Sequence, residues 1–439
     1  MVKNEKKQKN ERRSPDAGFK IFKDPEMDWT FARTLQYMNE NAAEVGECLR
    51  VARRIDEKNR ESWIEEWANL AKKKEIKAEE ALNKGHKISA RELFLCASNY
   101  YRTAEYGTPP SYPRFHELWE KSVKCFHMAC PLFSPPIQII EIPFKDFKLP
   151  GYFWSPDEST AHHPTLIAAG GNDTSLEEVF FLCGPATVRR GYNFFTFEHP
   201  GHRGAVHLYP NCTRRHDYEI PYKVAIDFLK TLPGVDDRIA LTGFSYGGYI
   251  ATRVAIYENR IKAVIPNTPI IDMVNMQKSF GGNSRKRNFL LKLPASFLNR
   301  LIERILSKMP LQYTLAKYVL WVFGMHELPW TEVLKKDMYN MHNIKDQIHK
   351  ITCPALAIVS DSEGEELLLQ AKEFYEGISS SVKEIYIFNL EKDGSNDHIQ
   401  LDNRLIGNQI MFDWLDEIFN YQSQLIQLRL KPLQNALLE

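Results

Sequence analysis

The chain has no excess of charge of either sign: 57 lysines and arginines stand against 56 aspartates and glutamates in 439 residues. That balance creates no overall field to draw in nucleic acid or an anionic membrane surface, so neither is expected as a partner. Long hydrophobic runs are missing as well. The longest, YVLWVFGM at 318–325, falls far short of the roughly 18 apolar residues a membrane span needs. The amino terminus has no apolar stretch behind its charges and does not read as a secretory signal. Its opening MVKNEKKQKNERR carries six basic and two acidic residues, and a disordered basic tail is expected over 1–20. Cysteine is sparse and unpatterned. The seven, at 48, 96, 125, 130, 183, 212 and 353, are odd in number and form no C-x-x-C, which excludes a disulfide framework or a zinc site. No H-E-x-x-H, P-loop or G-x-G-x-x-G accompanies any expected strand, so no metal and no cofactor is expected. A reduced, soluble, cytoplasmic protein follows from these absences.

What is present is a large apolar complement, 43% of the chain, enough for a sizeable core. From 21 to 134 the pattern is helical, with Val45, Cys48, Leu49, Ala52 and Ile55 on one face, and GTPPSYP breaks it near 107–113. The period then changes. IQIIEIPF and KLPGYFWSP read as an antiparallel pair, followed by short β-rich runs at 165–169, 192–198, 238–243, 261–266, 355–360 and 384–390 that alternate with helices. Continuous apolar strands alternating with helices predict a mostly parallel sheet covered on both faces. Between 274 and 348 no strand pattern occurs, and Leu301, Ile302, Ile305, Leu306 and Met309 mark a helix. This stretch reads as a helical cap inserted over the carboxyl ends of the strands, where open α/β sheets bind ligands. The expected organisation is a tail (1–20), a helical cap-like domain (21–134), a core in two parts (135–273 and 349–439) and the cap insertion (274–348).

Within the core, LTGFSYGGYI places Ser245 in a G-x-S-x-G between an expected strand and an expected helix. A nucleophile on such a sharp turn needs small neighbours, and Gly243, Gly247 and Gly248 meet that need. A serine hydroxyl also needs a base and an orienting acid. Both follow in the order this fold uses. Asp361 and Glu363 come after the strand at 355–360, and His398, the last histidine of the chain, comes after the strand at 384–390. Loop length leaves the acid open between Glu363 and Asp361, while Asp397 reads as a solvated loop charge. An oxyanion hole would take one amide from Tyr246 and another from the turn carrying Gly171 and Asn172. Asp173, Thr174 and Ser175 in that turn also suit helix capping. His199 and His202 read as structural or substrate-facing rather than as metal ligands.

Taken together, GGNDTSLEE, EHPGHRG, GFSYGGY, SDSEGEE and DGSNDHIQ resemble an α/β-hydrolase group that includes the fungal yellowish-green pigment hydrolase and dihydropseudooxynicotine hydrolase. The chain is more distantly similar to the fermentation–respiration switch protein and to prolyl-oligopeptidase-type acyl peptidases. The resemblance covers roughly residues 135–420, and the helical amino-terminal part more loosely. It implies an α/β-hydrolase fold with helical cover, a Ser–acid–His triad, and a working carboxylate at Glu177 or Glu178. Positions 360–363 depart from the pattern, since many relatives carry glycine or aspartate there. The expected function is hydrolysis of a small-molecule acyl or β-diketone substrate, at a carbon–carbon bond of a polyketide-like compound or at an ester. An acyl peptidase or amidase, and a non-catalytic interaction protein on the same scaffold, are the alternatives. Helical covers of this kind often pack against a symmetry mate, so a homodimer is a state to test.

Overall fold

The computed structural model describes residues 20–159, 161–279, 288–336 and 338–419. The expected tail lies almost wholly outside the described residues, as does a short part of the expected insertion.

Five helices precede the sheet: α1 (Pro25–Gln36), α2 (Val45–Ala52), α3 (Arg60–Asn83), α4 (Lys87–Tyr106) and α5 (Pro113–Ala129). Asp24 caps α1 by accepting from the amides of Glu26 and Met27, and Pro113 opens α5 at a position whose missing N–H costs nothing. Trp63, Trp67, Tyr100 and Phe126 are buried where these helices meet, each contributing about 1.5–3 kcal/mol by leaving water. The same apolar cluster continues without a break into Phe180 and Phe181 of α6 (Leu176–Arg189) and into Tyr152 and Trp154. Phe126 stands edge-on to Phe180, with ring centres 5.0 Å apart.

The sheet has eight strands: β1 (Gln138–Phe144), β2 (Phe147–Trp154), β3 (His163–Ala169), β4 (Asn193–Phe197), β5 (Val235–Phe244), β6 (Ile261–Asn267), β7 (Ala355–Ser360) and β8 (Lys383–Phe388). Their spatial order is β1-β2-β4-β3-β5-β6-β7-β8, with β1, β2 and β4 paired antiparallel and all later pairs parallel. Every residue of β3, β4 and β7 is buried, as a sheet covered on both faces requires. Alternation sorts them between the faces. Leu166, Ala168 and Phe194 enter the cluster shared with the amino-terminal helices. Ile167, Ala169 and Phe195 enter a second one, beneath α8 (Glu219–Leu229) and α9 (Tyr246–Tyr257), with the short helix α7 (Arg203–Leu208) between β4 and α8 in chain order.

All eight strands form where the apolar runs predict them. The stretch 274–348 carries no strand among its described residues beyond a single bridge, Asp272 to Asn343. Its helices are α10 (Met273–Ser279), Ala295–Leu306, Pro310–Val322 and Trp330–Lys335. The stripe read from Leu301 to Met309 lies in the helix Ala295–Leu306 up to Leu306, and Met309 falls outside it as the N-cap of the helix that Pro310 opens. Ile305 and Met309 are exposed, and in the helix Ala295–Leu306 it is Leu298 that is buried. The helix Pro310–Val322 reaches across to the amino-terminal helices: Gln312 donates to Asp24 (3.1 Å) and Thr314 to the carbonyl of Gly107 (3.3 Å). Among the described residues no helix is long and apolar enough to cross a membrane.

Close packing around α9 leaves no room for added atoms. A Cβ at Gly248 would lie 1.9 Å from the carbonyl oxygen of Thr268, and one at Gly243 would lie 1.9 Å from that of Gly247. Gly248→Ala is expected to cost about 3 kcal/mol or more, since backbone has to move. A thermal melt within a degree of wild type would contradict this packing.

Candidate active site

β5 delivers the chain directly into α9, and the residue between them is Ser245. Its backbone sits at φ 57°, ψ −117°, a left-handed conformation that a non-glycine residue holds only when its surroundings enforce it. The enforcement is visible. The Ser245 amide donates to the carbonyl of Asn267 on β6 (2.6 Å), and the Ser245 carbonyl accepts from Gly248 (2.8 Å). Ser245 is half-buried and faces a cavity of about 50 Å³, which His398 also lines.

His398 follows β8 on a short helical turn, and its Nδ1 lies 3.1 Å from Oε2 of Glu363. Glu363 is buried, at 1% exposure, and well supplied with donors: Thr268 Oγ1 donates to Oε2 (2.5 Å) and the Ser360 amide to Oε1 (3.2 Å). Asp361, the other acid left open by the sequence, points elsewhere. It accepts from Asn389 (2.6 Å) and Asn396 (3.1 Å), where it ties together the loops after β7 and β8. Asp397 is not solvated as expected. It is buried, accepts from the His398 amide (2.8 Å), and its carbonyl accepts from Ser360 Oγ (2.8 Å), which seats the histidine loop.

The turn after β3 runs against the elbow. A Cβ at Gly171 would meet the Ser245 side chain at 3.1 Å, and the Gly171 amide donates to Thr174 Oγ1 (3.1 Å). The Tyr246 amide belongs to the first turn of α9, where donors lack intrahelical acceptors. One residue ties the two sides together that sequence reasoning missed: Arg214. Its guanidinium is buried, bonds both Oδ1 and the main-chain oxygen of Asn172 (3.0 Å to the latter), and stacks on the ring of Tyr246 at 4.3 Å. No local pattern marks Arg214, because its partners lie 42 and 32 residues away.

Glu177 and Glu178 stand in the first turn of α6 and do not line the cavity. Ser175 and Glu178 form a reciprocal capping box. The rest of the Glu178 carboxylate is taken by Arg33 in a bidentate pair (2.8 Å each), by Tyr37 (2.9 Å) and by Arg102 (3.3 Å). Burial alone would raise this carboxyl, but Arg102 and Arg33 outweigh it and hold it below the usual range. Glu177 is different. It accepts from Tyr152 (2.7 Å), its Oε2 has no hydrogen-bond partner among the described residues, and burial followed by the nearby Glu198 pushes it up to about 7. The carboxylate of this segment that does line the cavity is Asp173, which accepts from Tyr106 (2.8 Å) and pairs with Arg33 (3.3 Å). Arg33, Asn172 and Thr174 also line the cavity, and its apolar side is made by Trp29, Tyr37, Leu182, Leu315, Ile399 and Leu401. His199 and His202 lie behind the turn. Nδ1 of His202 is 2.5 Å from Glu198, and a Cβ at Gly170 would strike the other ring nitrogen of His202.

An eight-stranded, mostly parallel sheet with helices on both faces and a strained strand–serine–helix turn at its crest is an α/β-hydrolase architecture. The chain belongs to the Esterase FrsA-like family, which matches residues 57–392, and it is a hydrolase. It is 28% identical to the 20-hydroxy-prefusarin hydrolase FUS2 of Gibberella moniliformis over 431 residues, covering 91% of this chain and 98% of that one. It is 32% identical to the hydrolyase poxO of Penicillium oxalicum over 273 residues, 58% of this chain and 63% of that one. The crystal structure of 2,6-dihydroxy-pseudo-oxynicotine hydrolase shares the fold with a TM-score of 0.68 at 21% identity, over 87% of this chain and 95% of that one. The resemblance drawn from the motifs is thus met in both sequence and fold.

Glu177 links the segment behind the turn to pH. Its folded pKa lies above the ordinary value of 4.5, so the stability carried by its protonated form is fully present below about 4.5 and is lost as pH rises through about 7. Glu177→Gln keeps a neutral group there at every pH. The melting temperature of that variant relative to wild type is expected to be higher at pH 8 than at pH 5. An advantage that is equal at both, or larger at pH 5, would rule out a proton held on Glu177.

Proposed function

We propose that the chain is a serine hydrolase in which Ser245, His398 and Glu363 act together on a carbonyl substrate. The observation that carries this reading is the buried Glu363–His398 pair, whose histidine lines the same cavity as a serine held in strained backbone. Ser245 Oγ attacks the carbonyl carbon and passes its proton to His398, whose charge Glu363 stabilises while fixing the ring. The amides of Tyr246 and of Asn172, which lines the cavity from the turn after β3, hold the oxyanion. Collapse of the tetrahedral intermediate breaks the bond to the leaving group, which takes the proton back from His398. That group is an alkoxide for an ester, or an enolate for a β-diketone. Water, deprotonated by His398, then releases the acyl group as an acid and restores the serine.

The apolar half of the cavity lining, which includes Trp29, Leu182, Leu315 and Leu401, supports an acyl or β-diketone substrate over a peptide, and the name of the 20-hydroxy-prefusarin hydrolase points in the same direction. We read this substrate as polyketide-like, with the helical segments 21–134 and 274–348 as the cover over the site.

Mass spectrometry of products from a panel of esters, amides and β-diketones tests the bond. Cleavage of the β-diketone or ester is expected, and exclusive release of amino-terminal dipeptides would contradict it. On the best substrate, Glu363→Gln is expected to lower kcat about 10³-fold or more, while Asp361→Asn stays within about ten-fold of wild type. The reverse order would move the acid to Asp361.

A further inference from the structure

Tyr37 stands between two spaces and lines each. The inner one is the cavity of about 50 Å³ at Ser245 and His398. The outer one, of about 280 Å³, lies between the Tyr37–Glu40 turn, α6 and the helix Arg404–Phe419. The Tyr37 ring lines both, stacked on Phe181 with ring centres 5.2 Å apart. Sites for sizeable organic ligands occupy roughly 300–1,000 Å³, so the inner cavity has room only for the reacting carbonyl and its nearest atoms.

The lining of the outer space says what chemistry it suits. Phe181, Ala186 and Leu405 give it an apolar wall, with Leu405 73% exposed at its rim. Three arginines also face it. Arg189 is neutralised by a bidentate pair with Glu40 (2.8 and 3.0 Å). Arg190 and Arg404 make no salt bridge among the described residues. Arg190 donates to the Ala186 carbonyl (3.2 Å) and lies 4.9 Å over Phe412, and the acids nearest it, Asp413 and Asp416, act only at longer range. Arg404 is 5% exposed. It donates to the Ile399 carbonyl (2.6 Å), to Gln400 (3.3 Å) and to Asn408 (2.8 Å), while its buried Nε has no acceptor among the described residues. The Phe244 ring lies 5.1 Å from it and Asp402 acts only at longer range, so this buried cation has no paired carboxylate among the described residues, and an anionic ligand relieves the cost of burying it.

We propose that the outer space is the distal half of the substrate site and takes the carboxylate-bearing end of an elongated apolar acyl chain whose reacting carbonyl lies at Ser245. The proposal rests on the serine-hydrolase reading of the inner cavity, so its test measures binding rather than turnover.

In the Ser245→Ala protein, intrinsic tryptophan fluorescence reports ligand near Trp29 in the inner cavity. The monomethyl ester of decanedioic acid is expected to bind about ten-fold tighter than methyl decanoate. Arg190→Glu removes or reverses that preference, and Ala186→Trp, which fills the space, weakens both ligands about ten-fold. Leu405→Glu, at the exposed rim where folding is not at stake, weakens the monoester several-fold and spares methyl decanoate. Equal affinities for the two ligands, or affinities that none of the three substitutions changes, would overturn the proposal. Hydrolysis of 4-nitrophenyl acetate by the wild type, absent in Ser245→Ala, reads the serine mechanism separately, so the two ideas can fail independently.

Discussion

The rest of the structure depends on how the Glu178 carboxylate is paired. It stands in the first turn of α6, where the helix dipole already favours negative charge, and it is shared by Arg33 of α1, Arg102 of α4, Tyr37 and the Ser175 amide. One buried anion thereby holds the amino-terminal helices to the sheet beside the turn that follows β3. Removing a single member of such a buried ion network typically costs about 3–5 kcal/mol, because the others are left charged and dry. The network closes on itself. Arg33 also pairs with Asp173, Tyr106 donates to Asp173, and Arg203 bonds Glu105 and the Asp173 carbonyl (2.9 Å). Arg33, Arg102 and Arg203 are thus set against Glu178, Asp173 and Glu105.

The site inherits its shape from this clamp. Arg33, Tyr37 and Asp173 are at once members of the network and walls of the cavity at Ser245. The amino-terminal helices therefore act as part of the site rather than as an appendage, in keeping with the unbroken apolar cluster beneath them. From the other side Arg214 binds Asn172 and stacks on Tyr246, so the two segments proposed to hold an oxyanion are fixed to one guanidinium. Donors fixed before the reaction need no reorganisation when charge develops, which is where most of the advantage of such sites lies.

How much of this was legible in the sequence differs by element. The strands were, because a sheet buried on both faces requires continuous apolar runs, and β3 and β7 are such runs. The serine turn was legible because steric demand at Gly243, Gly247 and Gly248 leaves a local mark. The choice between Glu363 and Asp361 was not. The structure places Glu363 beside His398 through Thr268 and Ser360, while Asn389 and Asn396 draw Asp361 away, and Thr268, Asn389 and Asn396 are all distant in sequence from both acids. The carboxylate implied at 177 or 178 was also out of reach. Glu178 is paired with Arg33 and Arg102, far away in sequence, and among the acids of this segment it is Asp173 that lines the cavity. Local patterns report local sterics and burial, and pairings across a hundred residues leave no such trace.

The claim on which the functional account turns is that Ser245 is an activated nucleophile. The most direct measurement is peptide mass spectrometry after treating the native protein with a fluorophosphonate. The account predicts one phosphonate adduct, on the peptide that carries Ser245, forming quickly in the folded protein and lost on denaturation before treatment. An unmodified Ser245 peptide, or an adduct on a different residue, would contradict it.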